Sequence, residues 1–520
     1  MKRVLCLGAL LALGLGACSD SMPTAPDGTV RPAFDLVAAG PVVNAGDDVT
    51  DANGCDVTHC SLREAIASAT PGATITFAES ATGTITLTST LQINKNLTIT
   101  GPGAAQLTVS GDNAHRVFTF GAGVTASLSG LTIADGSAAN GGGIYKTIGT
   151  LTITDCVISG NQATGSGGGI YNATGTLIIT DCVVSGNQAG GAGGIVSYGG
   201  GAVWITESTI SGNTAATGNG GGMYAYLTTL TLERSTLSGN TAAAGNGGGA
   251  RFQLGSTTIL NSTISGNTAS SAGGIYRFQG TTRIILSTIT DNNATAGSGG
   301  VDVYHAGTHM DVKGSIIWGN TRSGTTAADV GGSAAAYSSM GYNLIGAGSG
   351  TPSFDEATDQ TGVTDALLGT LQLNGPGTTK THALLAGSPA IDAGTCTDHA
   401  DVPVLTDQRG VTRPQPSGGP CDIGAYELRG GNLALLMEDV VALGPDGTGT
   451  LNQGQANSLL VTLDVVLKKL ENGQSHVALN NLWAFIDKVE TFTADGVLTT
   501  VEGQPLIDLA EQIIGAIEAM

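Results

Sequence analysis

Seven times in succession the chain ends an apolar strand on Ser-Gly-Asn or a close variant, then passes through a glycine cluster to an aliphatic residue. The closing asparagines are Asn161, Asn187, Asn213, Asn240, Asn267, Asn292 and Asn320, so successive copies lie 26, 26, 27, 27, 25 and 28 residues apart. A unit this short cannot bury its apolar side alone, and a steady period of this length means near-identical coils stacked on one another. Within the unit, apolar residues alternate with Thr in the period-two manner of a half-buried strand, as in Leu151 to Asn161, Leu177 to Asn187, Val203 to Asn213 and Leu230 to Asn240. Helical repeats of similar period would need Ala, Leu and Glu runs that these segments lack. The predicted fold is mainly β: a right-handed parallel β-helix of roughly ten to twelve coils, with the short strands joined by tight turns.

The 82 glycines suit that reading, since tight turns need positive φ. Only 12% of residues are charged, and 20 Lys and Arg stand against 41 Asp and Glu, a net charge of −21. Such a chain repels nucleic acid and anionic membrane surfaces, so no nucleic-acid partner is expected.

One coil gives the expected anatomy. Leu151 and Ile153 face inward, Thr152 and Thr154 outward, and Asp155 marks a bend. Ile158, Val184, Ile210, Leu237, Ile264, Ile289 and Ile317 then form an aliphatic column. The seven asparagines form a structural ladder at the next turn, where an inward amide can bond the backbone of the coils above and below.

Met1-Lys2-Arg3, the apolar run Val4 to Leu15 and Leu15-Gly16-Ala17-Cys18 read as an export signal too short for a comfortable membrane span. The segment resembles a bacterial lipoprotein signal, which implies cleavage before Cys18, lipidation of Cys18 as the sole membrane attachment, and a tether over 18–39. Ser19 after the cysteine implies an outer-membrane or cell-surface destination. The alternative, an ordinary signal peptide, equally implies export.

Export permits disulfides. After Cys6 is lost with the signal and Cys18 is assigned to the anchor, three local pairs remain: Cys55 with Cys60, Cys396 with Cys421, and Cys156 with Cys182. The last two occupy one place in adjacent coils, about 4.8 Å apart, where a disulfide and a pair of free thiols are both compatible with the spacing. Their column continues as Ser208, Ser235, Ser262, Ser287 and Ser315, a small inward ladder.

Cys60-Ser-Leu-Arg-Glu-Ala-Ile66 places Ser61 and Glu64 in capping-box spacing, predicting a helix from about Leu62 to Ala69 that covers the open front of the solenoid. The segment resembles the CSLREA motif of exported bacterial β-helix proteins. Gly387-Ser-Pro-Ala-Ile-Asp-Ala-Gly394, Asp407-Gln-Arg-Gly410, Arg413-Pro414 and Cys421-Asp-Ile-Gly-Ala-Tyr-Glu427 resemble the closing region called choice-of-anchor Q, and the Ser-Gly-Asn coils are similar to those of polymorphic outer-membrane proteins. The resemblance covers roughly residues 51 to 428. It implies a cap over 51–70, a solenoid over 40–428 closing from about 330, a cell-surface location, and no enzymatic activity.

From Leu433 the apolar residues recur at helical spacing, as in Leu459, Leu463, Val466, Leu467 and Leu470, predicting a small helical bundle over 431–520. That segment holds 12 acidic and 3 basic side chains. Asn457-Ser-Leu, Lys468-Lys469-Leu470 and Ala484-Phe-Ile-Asp-Lys-Val489 resemble the FIMAH-type domain of secreted carbohydrate-active and surface proteins.

Candidates for chemistry are few. Asp155, Asp181 and Glu207 stack on three coils before Arg234 interrupts them, and such a column could hold Ca²⁺, the one cofactor considered. Asp302, His305, His309 and Asp311 form the only His-rich stretch. Asp392, Asp407, Arg409, Arg413, Asp422 and Glu427 could form an active cluster or, as ion pairs and turn bonds, fasten the last coil. No serine-hydrolase, zinc or phosphate-loop signature occurs. Tyr145, Tyr171, Tyr224 and Tyr276 follow the inward Ile144, Ile170, Met223 and Ile275, so their rings should face out in a line. Such a line suits stacking of polysaccharide rings or docking of a surface protein, and equally suits cross-strand support. Lys146, Arg277 and Arg283 are expected to supply its polar edges. The expected function is a lipid-anchored surface scaffold of adhesin type; a polysaccharide lyase or hydrolase and a purely structural protein are the alternatives.

Overall fold

The computed structural model describes residues 39–518 except 306, 386, 416–418, 429–431, 446, 448 and 472–473. The signal, the tether and Cys18 lie outside the described residues. The chain folds as a parallel β-solenoid of about ten turns, followed by a C-terminal helical region.

Each coil contributes four short strands, exemplified by Ile144–Lys146, Gly149–Thr154, Val157–Ser159 and Gln162–Ala163. Equivalent strands of successive coils pair in parallel and in register: Ile144 opposite Ile170, Leu151 opposite Leu177, Ile158 opposite Val184, and Ala163 opposite Ala189. The first and second columns merge into one 20-stranded sheet because Ala250–Leu260 and Ile275–Ile285 run through both. The third column is a 12-stranded sheet and the fourth a 9-stranded one.

The alternation in sequence is the alternation in burial. Ile144, Leu151, Ile153 and Ile158 are fully buried, whereas Tyr145 and Thr152 are half-buried. The bend between the second and third columns is left-handed at Asp155, Asp181, Glu207, Arg234, Asn261 and Leu286, with φ between +45° and +51°. Asp and Asn suit this conformation better than most side chains do, which gives Asp155, Asp181 and Asn261 a backbone reason.

The Gly-Gly-Gly clusters serve two needs. Gly141 has φ +61°, a turn conformation. Gly142 does not, but a Cβ there would lie 2.2 Å from the carbonyl oxygen of Gln162 in the next coil, so only a residue without a side chain lets the coils approach this closely.

At the front, α1 (Leu62–Ser68) starts from a complete capping box, with Ser61 and Glu64 each bonding the other's backbone N–H. Its Leu62, Ala65 and Ile66, with Ala69, join the solenoid core. The strand Ala39–Val43 pairs with Thr74–Phe77 beside it.

The closing region departs from expectation. The last stacked strand among the described residues is Gln360–Thr361, and the described residues that follow, to 428, form no further stacked strand. They form isolated antiparallel bridges and return along the third column. Thr236 Oγ1 donates to the Lys380 carbonyl at 2.6 Å, Asn261 Nδ2 to the Thr406 carbonyl at 2.7 Å, Thr263 Oγ1 to Gln408 Oε1 at 2.6 Å, and the Gly424 N–H to the Gly314 carbonyl at 2.8 Å. With the Ala425 N–H donating to Thr288 Oγ1 at 3.1 Å, the region straps four coils together. Thr236, Thr263, Ser265, Thr288 and Thr290, which would otherwise face water, are buried beneath it.

Four helices follow: α2 (Asn432–Ala442), α3 (Gln453–Glu471), α4 (Ser475–Ala494) and α5 (Thr500–Glu518). Leu436, Leu459, Leu463, Leu482, Phe485 and Ile513 build their common core. Leu509 of α5 also packs against the apolar cluster of the strap, which contains Ile316, Leu384, Ile423 and Leu428.

Candidate functional site

The outward residues of the 20-stranded sheet form an aromatic face. Tyr145 and Tyr171 stack with centroids 5.3 Å apart and planes within 5°, and the Arg116 guanidinium lies 4.8 Å from the Tyr145 centroid. Arg116 is held there by the carbonyls of Gly141 and Asn140. Tyr224 donates to Gln253 Oε1 at 3.0 Å, and Arg251 lies 5.5 to 5.7 Å from the rings of Tyr224, Tyr276 and Phe278. The rings and guanidinium planes that repeat along the sheet are attracted by the ring quadrupole as well as by burial.

Tyr276 corrects the expectation of four exposed rings. It is only 5% exposed, because Arg251 and Tyr304 of the adjoining coils close over it. Burial raises its phenol to about 12. The open rings belong instead to a second column that sequence reasoning missed. Tyr198, Tyr226, Phe278 and Tyr304 each stand three residues after the inward aliphatic of their coil, namely Ile195, Met223, Ile275 and Val301. Tyr198 and Tyr226 stack at 4.7 Å, and Phe278 and Tyr304 at 5.9 Å. Tyr198 is 45% exposed, Tyr304 69%, and Trp204, on the same sheet, 43%. The repeat at plus three was present in the sequence beside the repeat at plus one.

Lys146 and Arg277 are a second correction. Both lie inside the solenoid, 1% and 0% exposed, because the residue after an outward tyrosine must point inward. Lys146 Nζ donates to Asn172 Oδ1 at 2.8 Å and to the Thr174 carbonyl at 2.6 Å. Asn172 Nδ2 passes the line to Ser197 Oγ, which also receives Thr228 Oγ1, so a polar thread crosses four coils. Burial lowers Lys146 to about 8 and Arg277 to about 10. Arg283 remains on the surface, 3.4 Å from Asp311.

The acid column is divided between an ion pair and open carboxylates. Glu207 pairs with Arg234 at 2.6 Å, while Asp155 is exposed. Partial burial, then Glu207 and Asp155, raise Asp181. The His-rich stretch also disperses: His309 bonds Asp311 at 3.0 Å, His305 meets Gln279 and the Phe278 ring, and Asp302 accepts from Ser271 at 2.8 Å. In the strap, Arg409 forks onto Asp407 at 2.7 and 2.9 Å and lies 3.5 Å from the Tyr426 centroid, and Arg413 pairs with Glu427 at 3.2 Å. Asp422 accepts the N–H groups of Asp392 and Leu428. Asp407, Arg409, Arg413, Asp422 and Glu427 are buried and consumed in holding turns, while Asp392 is exposed.

Cys55–Cys60 and Cys396–Cys421 are disulfides. Cys156 and Cys182 are free and buried: Cys182 Sγ accepts the Cys156 N–H at 3.4 Å and donates to the Thr180 carbonyl at 3.1 Å. The serine ladder continues that pattern, with the Cys182 N–H donating to Ser208 Oγ at 3.1 Å. No described helix is long and apolar enough to cross a membrane. Comparison with protein-family models, curated proteins and solved structures found no match to this chain.

Proposed function

We propose that the protein is an exported, lipid-anchored cell-surface scaffold that binds an extracellular glycan along its aromatic face. The observation that carries the reading is the pair of aromatic columns on one sheet, with Tyr198 and Trp204 open to solvent in one coil and Tyr304 four coils further on. Rings stacked across successive coils present their edges and hydroxyls along an extended surface of the kind that solenoids use for polymers. The resemblance to CSLREA, choice-of-anchor Q and FIMAH-type proteins supports a surface setting, and Cys18 is the proposed point of lipidation. Each stacked ring contributes on the order of 1 kcal/mol, so removing two open rings weakens binding by roughly tenfold or more.

A polysaccharide array probed with the full chain, followed by product analysis, tests this. Binding without shortened or unsaturated products is expected, and Tyr198→Ala with Tyr304→Ala should reduce it. Unchanged affinity in that folded double variant removes the platform, and new sugar products replace the reading with an enzyme.

A further inference from the structure

We propose that Asp51, His59 and Glu64 of the N-terminal cap form a zinc site. Among the described residues these are the only three His, Cys, Asp or Glu side chains whose ligand atoms all lie within 4.8 Å of one another. They lie in the loop and helix that cover the front of the solenoid, with the Cys55–Cys60 disulfide bracketing His59.

The tautomer of His59 follows from its neighbours. Nε2 lies 3.1 Å from Asp47 Oδ1, and an ionised carboxylate only accepts, so Nε2 carries the proton. The Asp47 hydrogen bond, with Glu64 and Asp51 beside it, raises His59 and favours the charged ring, so Nδ1 offers its lone pair to a metal in exchange for a proton. Nδ1 is itself buried and has no hydrogen-bond partner, yet it lies 3.1 Å from Glu64 Oε2 and 3.5 Å from Asp51 Oδ2. Two carboxylate oxygens thus converge on Nδ1, and the point between them suits either the Nδ1 proton or a cation that replaces it. An imidazole whose other nitrogen is fixed by a carboxylate is the usual state of a metal-bound histidine.

The carboxylates are positioned in advance. Glu64 Oε1 accepts the Asp51 N–H at 2.7 Å and Oε2 the Ser61 N–H at 2.9 Å. Asp51 Oδ1 accepts the N–H groups of Asn53 and Gly54, which leaves Oδ2 for the shared centre. Arg63, beside Glu64 in the chain, is engaged by Asp48 at 2.7 and 2.9 Å.

Spacing selects the metal. Zinc bonds of about 2.0–2.2 Å at tetrahedral angles put neighbouring donors roughly 3.3–3.5 Å apart, close to the two distances measured from Nδ1. Calcium prefers six to eight oxygens at longer range, and an imidazole donor favours zinc over it. Three protein ligands leave a fourth position for water.

The test is calorimetry and thermal melting of the full chain, stripped with EDTA and then titrated with zinc chloride. One zinc per chain and a raised melting temperature are expected. Asp51→Asn keeps the turn-capping oxygen and His59→Gln keeps a polar side chain; each should weaken binding at least about tenfold. Absence of zinc binding by the unmodified chain overturns the proposal, as does unchanged binding in both folded variants, which would put the metal elsewhere. If a variant fails to fold, the unmodified chain decides: a melting temperature lowered by EDTA and restored by zinc supports the site, and an unmoved one shows that a protonated His59 alone holds the carboxylates.

Discussion

Asn320 donates both its backbone N–H and its side-chain Nδ2 to one oxygen of Asp329, at 2.8 and 2.9 Å. The same two bonds link each earlier asparagine to the next: Asn161 to Asn187, Asn187 to Asn213, and onward to Asn292 and Asn320. Each asparagine's Oδ1 accepts from the preceding asparagine and its N–H and Nδ2 donate to the next, while Nδ2 also donates to a carbonyl of the preceding coil, so the last asparagine needs an acceptor beyond it. A carboxylate is that acceptor. The neighbouring ladder closes alike: the Ser315 N–H donates to Asn343, and the Asn343 N–H and Nδ2 donate to Asp359 Oδ1 at 3.0 Å.

Asp329→Ala should therefore cost more than removal of an ordinary surface acid. It orphans two donors of Asn320 and the Ala347 N–H that reaches Oδ2 at 2.8 Å. At about 1–3 kcal/mol per buried unpaired donor the three sum to about 3–9 kcal/mol, and with water re-bonding the part-buried Ala347 N–H the loss should be roughly 2–5 kcal/mol. Hydrogen exchange should show the coils around Asn292 and Asn320 losing protection before those around Asn161, because each coil leans only on its neighbours. Uniform loss along the solenoid would contradict this.

The glycine clusters predict unequal tolerance. At Gly168 a Cβ would lie 2.4 Å from the Gln188 carbonyl and 2.7 Å from the Gly193 carbonyl, both backbone atoms of the next coil. Gly168→Ala must spread the coils and should cost several kcal/mol, on the scale of overpacking with added strain. Gly186 has φ +63° and no atom within 4 Å of a built Cβ, and the matching position two residues after Ile289 is Asp291, at φ +58°. Gly186→Asn should cost no more than about 1 kcal/mol. Chemical denaturation of the two single variants ranks them directly.

Much of this was legible in the sequence because the solenoid repeats its physics. The 26-residue period fixed the stacking, the Thr alternation fixed which of Leu151 and Thr152 faces in, and Ser61 with Glu64 announced the capping helix. What failed was local. Reading Tyr145 outward and Lys146 on the same edge broke the period-two rule that had placed Tyr145. Tyr276 is buried by Arg251 and Tyr304 from adjacent coils, a contact that no single repeat displays. The strap of the closing region has no period at all, and its partners, such as Thr236 with the Lys380 carbonyl, are 144 residues apart. The cluster at His59 escaped notice because Asp51, His59 and Glu64 share no recognised metal spacing and meet only once the disulfide loop and α1 have folded.

Cys182→Ser should be nearly silent. The thiol accepts the Cys156 N–H and donates to the Thr180 carbonyl, and Ser208 makes the equivalent pair one coil on, accepting from Cys182 at 3.1 Å and donating to the Thr206 carbonyl at 2.8 Å. A stability change within about 1 kcal/mol is expected. Both thiols should resist alkylation until the chain unfolds, and intact mass should show two free sulfhydryls. Rapid labelling of the native protein would refute the buried ladder.

The buried ammonium of Lys146 predicts a pH dependence that can be isolated by substitution. Burial lowers its folded value to about 8, against an ordinary 10.5 in the unfolded chain. Between those values the unfolded state binds more protons than the folded one, so stability rises as pH increases across the window. Below about pH 8 both states are charged and the desolvation penalty is constant. At 1.36 kcal/mol per pKa unit the full shift corresponds to about 3 kcal/mol, and the polar loop carbonyl beside Nζ screens part of it, so roughly 1–2 kcal/mol should be observed. Lys146→Met fills the same interior space without a charge. It should remove the rise, and it should gain stability at pH 7 if the loss of bonds to Asn172 and Thr174 costs less than the buried charge did. Urea midpoints measured from pH 7 to 10.5 for both proteins decide the matter: parallel curves would mean that Lys146 stays solvated and titrates normally.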